Sequence, residues 1–434
     1  MHPLNKNIFV FVVCGADKHI QTLNFSLRYL KHFSRNEIIV VTDLSRNNID
    51  IDHDNVLNIH TPDKFNHHQA SIFLKVSLHK ILDTEHNYCY LDSDVIAVDE
   101  RVDEVFNYKT GPVTFASDHC SLREFSPNAM NCGCNENRIN NIKLLTRLEK
   151  EYFQLEQEYF VREKAFRDKY VPKDPEIFER YEQLQEIINE YCITYKRFLK
   201  VPSFIQFVLA HLNPEKYNFE HYLTLHGDFK WDHREKKVFD SENNFLFDAA
   251  AIPPQYPSYY KHIKDNSNFI WNDESNFWVD ENRNDIYAAA RCDHLREAIR
   301  KKFKVNIPDN NWLHWNGGVF LFDRSSVEFM NTWCEHTMEI FKDNDWKTRD
   351  QGALIVTAWK CKLHDQKRLP AEFNFLADFN NEHLRFDIEK GFSFDNFKTT
   401  LHPSFLHIYH NFGKKGWDVW DYIEGLSSKS KIVI

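Results

Sequence analysis

Glycine is scarce, with 11 among 434 residues. Neither G-x-G-x-x-G nor G-x-x-x-x-G-K-[ST] occurs, which excludes a nucleotide held in a glycine-rich phosphate loop. An excess of base is missing too. Lys and Arg number 54 against 64 Asp and Glu, a formal charge of −10, whereas a general nucleic-acid binder needs a basic face to displace counterions. No nucleic-acid partner is therefore expected. Long apolar runs are also lacking: near the start, Ile8–Val13 is only strand-length, so neither a signal segment nor a membrane span is expected. Lys429 and Lys431 are too few charges to anchor the chain to a membrane. Cysteine is odd in number, at 9, and Cys14 and Cys89 fall inside strand-like apolar runs. That suits free thiols in a reducing compartment, so a cytoplasmic location is expected. His119-Cys120 and Cys132-Gly133-Cys134 raise the question of zinc. Cys-x-Cys is not the usual ligand spacing, and no clear second pair lies nearby in sequence, which argues against it.

What is present is a large soluble chain, 42% hydrophobic and 27% charged, with room for two or three domains. Ile8–Val13 and Glu37–Asp43 read as strands buried on both faces. Leu23, Leu27 and Leu30 mark a helix between them, and Ile72, Val76, Leu78 and Leu82 a second one carrying Lys75. Then comes Tyr88-Cys89-Tyr90-Leu91-Asp92-Ser93-Asp94-Val95-Ile96-Ala97-Val98, an apolar run that drives into two aspartates. Strand, helix, strand, helix, strand implies a parallel sheet covered by helices, whose ligands bind at the carboxyl ends of the strands. Asp17, Asp43 and Asp92-Ser93-Asp94 all stand at such ends. Residues i and i+2 of a strand share a face, so Asp92 and Asp94 would lie side by side. Such a pair repels itself unless a cation sits between, and magnesium or manganese suits hard oxygen ligands.

After Asp118 the character changes. Leu145, Leu148, Tyr152, Leu155 and Tyr159 recur at heptad spacing. So do Ile177, Tyr181, Leu184, Ile188, Tyr191, Tyr195 and Phe198, with Val171–Pro175 between the two runs and Asp174-Pro175 reading as a cap followed by a first-turn proline. This predicts an antiparallel helical hairpin over about 139–200, packed on its parent domain or serving as an arm for a homodimer or partner. The aromatic stretch that follows is weakly periodic. Phe239–Ala251 can hold a strand pair, Ala251–Pro257 must be loop, and Trp271, Phe277 and Trp278 are read as core packing or as stacking surfaces for sugar rings. Order returns with a helix over Leu295–Phe303, then Asn316-Gly317-Gly318-Val319 entering a buried strand. Helices over Val327–Phe341 and from Asp350 follow, then the extended Leu369–Phe375 and a strand leading into His410-Asn411-Phe412-Gly413-Lys414-Lys415-Gly416-Trp417.

In this order, Phe11–Asp17, the Lys75 helix, Tyr90-Leu91-Asp92-Ser93-Asp94, Asn316-Gly317-Gly318-Val319, Asp350-Gln351, Leu369-Pro370-x-x-Phe373-Asn374 and His410-x-x-Gly413 resemble a GT-A-fold glycosyltransferase. Within that fold they resemble the retaining family that includes glycogenin and the bacterial lipopolysaccharide galactosyltransferases. The final motif departs from the family's His-x-x-Gly-x-x-Lys-Pro-Trp: Lys415 and Trp417 each come one place early, and Gly416 replaces the proline. The resemblance implies an α/β, Rossmann-like GT-A core, mostly parallel, over 1–120 and 290–425. The hairpin-bearing 121–289 is then an insertion and 426–434 a tail.

It also implies transfer of a sugar from a nucleotide-sugar, a UDP-sugar by preference, to an acceptor (glycan, protein or small molecule) that the sequence does not reveal, with retention at the anomeric carbon. Asp92, Asp94 and His410 would hold Mn2+ or Mg2+, with His407 the competing imidazole. Ala16, Asp17, Asp43, Lys75, Asp92, Ser93, Gly413 and Lys415 (or Lys414) would bind the nucleotide-sugar. Asn316, Asp350 and Gln351 would line the sugar as the catalytic group. Two other readings compete: an idle GT-A scaffold working through the hairpin, and a sugar nucleotidyltransferase, which would need a richer glycine loop than Cys14-Gly15-Ala16-Asp17-Lys18.

Overall fold

The computed structural model describes residues 5–83, 85–171, 175–198, 200–232, 234–251, 256–347 and 350–429. They form two compact units, one of Met1–Arg138 with Ala289–Ile434 and one of Ile139–Ala288.

The first unit is built on a six-stranded sheet. Its strands are β1 (Asn7–Val12), β2 (Glu37–Thr42), β3 (Val56–Asn58), β4 (Asn87–Leu91), β6 (Val113–Ser121) and β7 (Leu313–Phe322). The order across the sheet is β3-β2-β1-β4-β7-β6; the first four run parallel, and β7 is antiparallel to both of its neighbours. A smaller sheet joins β5 (Val95–Ala97), β8 (Phe375–Leu376) and β9 (Phe405–His407). Covering helices include α1 (Asp17–Phe33), α2 (His67–Val76), α3 (Leu122–Ala129), α6 (His294–Phe303), α7 (Val327–Ile340), α8 (Asp350–Lys360) and α9 (Asp418–Lys429).

The sheet is apolar on both faces because it is covered on both. Ile8, Val10 and Val12 pack under α2, α7 and α8, while Phe9, Phe11 and Val13 pack under α1 and α9. Two elements differ from expectation. The helix carrying Lys75 stops at Val76, where Ser77 breaks it from a short turn over Leu78–Ile81. Of the tail expected beyond 425, residues 426–429 belong to α9, whose Val419, Trp420 and Ile423 are buried, and the rest lies outside the described residues.

The second unit takes most of α4 (Cys134–Tyr170), all of α5 (Glu176–Phe198) and a three-stranded sheet of Phe229–Asp232, Lys237–Asp240 and Phe245–Asp248. Asp174, the expected cap of α5, lies outside the described residues, as do Pro253 and Pro254 of the expected loop. The heptad face of α4 serves two cores. Leu145 and Leu148 pack with Ile263, Phe269 and Trp278, whereas Phe166 and Tyr170 pack with Tyr181 and Leu184 of α5. Ring contacts join α4 and α5 near their junction: the Phe166 and Tyr181 ring centroids are 4.5 Å apart, and the Arg167 guanidinium lies 3.8 Å over Phe178. Trp271 and Trp278 pack edge to face at 5.3 Å, and the Trp278 indole N–H donates to the Tyr259 hydroxyl at 3.1 Å. Packing accounts for both rings.

Candidate active site

Parallel strands share an edge. The carboxyl ends of β1, β2 and β4 therefore deliver Cys14–Asp17, Asp43 and Asp92–Asp94 to one side of the sheet. Asp92 to Asp94 do not extend the strand as expected. The Val95 N–H donates to the Asp92 carbonyl at 3.0 Å, so a turn hands the chain from β4 to β5. The antiparallel pairing of β9 with β5 sets His407 opposite Val95, and the Ile408 N–H donates to the Asp94 carbonyl at 3.0 Å. This register carries the His407 imidazole to the acidic turn, with its Nε2 3.4 Å from Asp94 Oδ1. One ligand atom each from Asp92, Asp94 and His407 lies within 4.8 Å of the others.

The proton on His407 can be assigned from its partners. The Asn316 amide nitrogen must donate to the Asp118 carboxylate, 2.9 Å away, which leaves its oxygen to accept from the Gly318 N–H and the Asn374 amide nitrogen. Asn374 then turns its own oxygen to His407 Nδ1 at 2.9 Å, and only a protonated Nδ1 can donate there. Nε2 is the nitrogen that faces Asp94, and with a polar partner fixing the other ring nitrogen it can hold either a proton shared with that carboxylate or a metal ion. Burial pushes His407 toward the neutral form, but the Asp94 carboxylate outweighs it and holds the ring above the usual histidine range. Burial would likewise raise Asp94, and the charge on His407 brings it below the usual carboxylate range.

On the other side of the turn stands Lys75, buried in the last turn of α2. Its Nζ lies 3.2 Å from Asp92 Oδ1, 2.8 Å from Asp350 Oδ2 and 4.8 Å from the Tyr90 ring centroid. The Tyr90 hydroxyl donates to the same Asp92 oxygen at 2.5 Å. Burial opposes the lysine charge, but the two carboxylates overcome it, so Lys75 stays charged well above the ordinary lysine range. Asp350, the first residue of α8, is held below the carboxylate range by Lys75 against the pull of burial.

The remaining sequence-derived positions divide. The Gln351 side chain accepts from the Gly317 N–H at 3.1 Å and donates to the Trp315 carbonyl, so it fixes the irregular stretch of β7. Asn316 is the middle of the amide chain to His407. Asp43 is 1% exposed, and its two oxygens accept from Ser45 N–H and Oγ and from Thr61 N–H and Oγ1, at 2.6–3.2 Å. Burial favours its neutral form, yet those donors hold it far below the carboxylate range, and it closes a turn. Ala16 caps α1 and Asp17 accepts from the Asn48 amide at 3.1 Å, both at the sheet edge. Ser93 accepts at its carbonyl from Ser26 Oγ at 2.7 Å. His410 stands away from the acidic turn, with its Nδ1 3.4 Å from Asp378 and its side chain 56% exposed, and Gly413, Lys414 and Lys415 follow in an exposed turn. Asp118 and Asn374 were given no site role from the sequence. Asn374 does close the Leu369-Pro370-x-x-Phe373-Asn374 motif, but the motif gave it no role at the imidazole. A cavity of about 500 Å³ in this unit is lined in part by Asp118, His119, Asn374, Asp378 and Tyr409.

Gly318 is glycine because His407 occupies the space of a side chain: a Cβ there would lie 2.4 Å from His407 Cε1 and 2.9 Å from Asn316 Oδ1. Gly318→Ala is expected to displace the imidazole with the fold retained, and if Asp92, Asp94 and His407 together hold a divalent cation, to weaken that binding at least about 10-fold. Manganese titration followed by electron paramagnetic resonance, alongside far-UV circular dichroism, checks this.

No family model matches the chain, and no curated protein matches its sequence. Among solved structures it is similar to the bifunctional glycosyltransferase WbbM in its apo form, with 12% identity and a TM-score of 0.40 over 100% of this chain and 52% of that one. The chain thus spans about half the length of WbbM. It is also similar to mouse xyloside xylosyltransferase 1 in its apo form, with 10% identity and a TM-score of 0.34 over 93% of this chain and 98% of that one. Galactosyltransferase LgtC in complex with donor and acceptor sugar analogues matches at 15% identity and a TM-score of 0.20, over 26% of this chain and 46% of that one.

Proposed function

We propose that this chain is a metal-dependent glycosyltransferase that takes a sugar from a nucleoside diphosphate, UDP by preference, and passes it on with retention. The observation that carries the reading is the convergence of Asp92, Asp94 and a tautomer-fixed His407 on one point at the carboxyl edge of the sheet. Two carboxylates and one imidazole suit manganese better than magnesium. Asp92, Asp94 and His407 would hold the ion; His407 takes the place that motif spacing alone gives to His410. When bound, the ion supplies Lewis-acid neutralisation of the charge that builds on the leaving diphosphate.

The chain's own residues prepare the site for that. Lys75 offsets the charge of Asp92 and Asp350, so two carboxylates can face the same site without expelling each other. Asp118, Asn316 and Asn374 hold the His407 ring and keep its proton on Nδ1. Ala16 and Asp17 lie on the edge where the nucleoside would rest, and Asp350 stays ionised beside the sugar site. Release of UDP from a panel of UDP-sugars, with and without Mn2+, tests the reading. Metal-dependent release from one donor supports it; absence of release from every donor counts against it.

A pH dependence follows. A proton competes with the cation for His407 Nε2, and Asp94 holds that proton above the usual histidine range. Mn2+ affinity should therefore fall as pH drops through the raised histidine value and level off above it. Calorimetric titrations across neutral pH check this, and His407→Gln should flatten the profile.

A further inference from the structure

The sequence offers Cys132-Gly133-Cys134 without a partner pair. Folding supplies one. Cys292 and His294, 160 positions further on, come to the same place in the first unit, and the four ligand atoms all lie within 4.8 Å of one another. Cys132 Sγ is 3.8 Å from Cys292 Sγ, and Cys134 Sγ is 3.6 Å from His294 Nδ1. A tetrahedral zinc with Zn–S of about 2.3 Å and Zn–N of about 2.0–2.1 Å requires edges of about 3.8 Å between sulfurs and about 3.6 Å between sulfur and nitrogen. A disulfide would need its sulfurs at about 2.05 Å.

We propose that Cys132, Cys134, Cys292 and His294 bind one zinc ion as a closed structural site. Each half of the site is a tight ligand-x-ligand turn. In the first, Gly133 takes φ of +73°, a conformation that lets two cysteines separated by one residue aim at a common point. In the second, the Cys292 N–H donates to the Arg123 carbonyl at 3.1 Å, and the Leu295 N–H donates to Ser126 Oγ at 2.9 Å, which fastens Cys292-Asp293-His294 to α3. Cys292 is buried, Cys132 and Cys134 are half-buried, and His294 is exposed at the rim. Four protein ligands leave no open position, so the role is structural. Binding releases the three thiol protons to solvent, and no electrons move.

The place in the chain gives the role. Cys134 opens α4 and His294 opens α6, so the ion clips the stretch just before the chain leaves the first unit at Arg138 to the stretch just after it returns at Ala289. It would close a loop of about 160 residues, where a cross-link restricts the unfolded chain strongly. His119 and Cys120 take no part; they surround Asp118 instead.

The test uses full-length protein made without added zinc and without a polyhistidine tag. Elemental analysis should find about one zinc per chain. Asp94→Asn should keep that zinc, which separates this site from the acidic one, and the result does not depend on transferase activity. His294→Ala removes the exposed ligand and should lose most of the zinc, His294→Cys should retain it, and Cys132→Ser with Cys292→Ser should lose it outright. Cobalt substitution should give thiolate-to-cobalt charge-transfer bands in the wild type that vanish in His294→Ala. Folded wild-type protein with far less than one zinc per chain would overturn the proposal, as would a Cys132–Cys292 disulfide found by peptide mapping.

Discussion

Asp94→Asn is expected to lower the proposed metal-dependent transfer from a UDP-sugar about 10³-fold while the protein stays folded. The change is nearly isosteric, and it removes the charge that faces His407 and the proposed cation site. Loss of a metal that neutralises a leaving diphosphate removes about 4 kcal/mol of transition-state stabilisation, which is about 10³ in rate. The effect should fall on kcat as well as on metal affinity, because the charge being neutralised develops only as the glycosidic bond breaks. Stability should change far less, since the asparagine can still accept from His407. Steady-state kinetics at saturating Mn2+, paired with urea denaturation, separates the two. Undiminished turnover in this variant would remove Asp94 from the site.

Lys75→Met is expected to cost about 3–5 kcal/mol of folding stability, because it removes the cation from between two carboxylates that stay partly buried. Asp350 should feel this most, being the less exposed of the pair, with side-chain exposure of 17% against 33% for Asp92. Combining Lys75→Met with Asp350→Asn should restore part of the loss, because the double variant no longer holds the unpaired charge. The coupling should reach about 0.5–3 kcal/mol. Urea midpoints of the four proteins in this cycle measure it. Strict additivity would mean that Lys75 and Asp350 act independently, against the 2.8 Å pairing.

The parts of this architecture that are local were legible in the sequence. The runs Ile8–Val13 and Glu37–Thr42 are apolar on both faces because each is covered on both, and that pattern alone implies a parallel sheet. Asp92 and Asp94 stood out because nothing else in so apolar a stretch is charged. What could not be read is what pairing decides. His407 and His410 are three residues apart, and motif spacing points to His410; only the register of β9 against β5 brings His407 to Asp94. Asp43 shows the opposite difficulty. A carboxylate at a strand end reads as a ligand, yet Asp43-Leu44-Ser45 is also a turn, and Thr61 takes up the remaining oxygen. The heptads of α4 suggested a single partner helix, but a heptad face does not say what covers it, and Leu145 and Leu148 are covered by the region around Ile263 and Trp278. Cys292 and His294 were invisible as partners of Cys132 and Cys134 for the same reason: sequence distance hides contacts made by folding.

The most direct test of the acidic site is calorimetry of the wild-type protein with UDP, in the presence and absence of Mn2+. One UDP is expected to bind per chain with Mn2+ present, with strong loss of that binding when the metal is removed and loss again in His407→Ala. UDP binding that is indifferent to Mn2+, or no UDP binding with the metal present, would contradict this expectation.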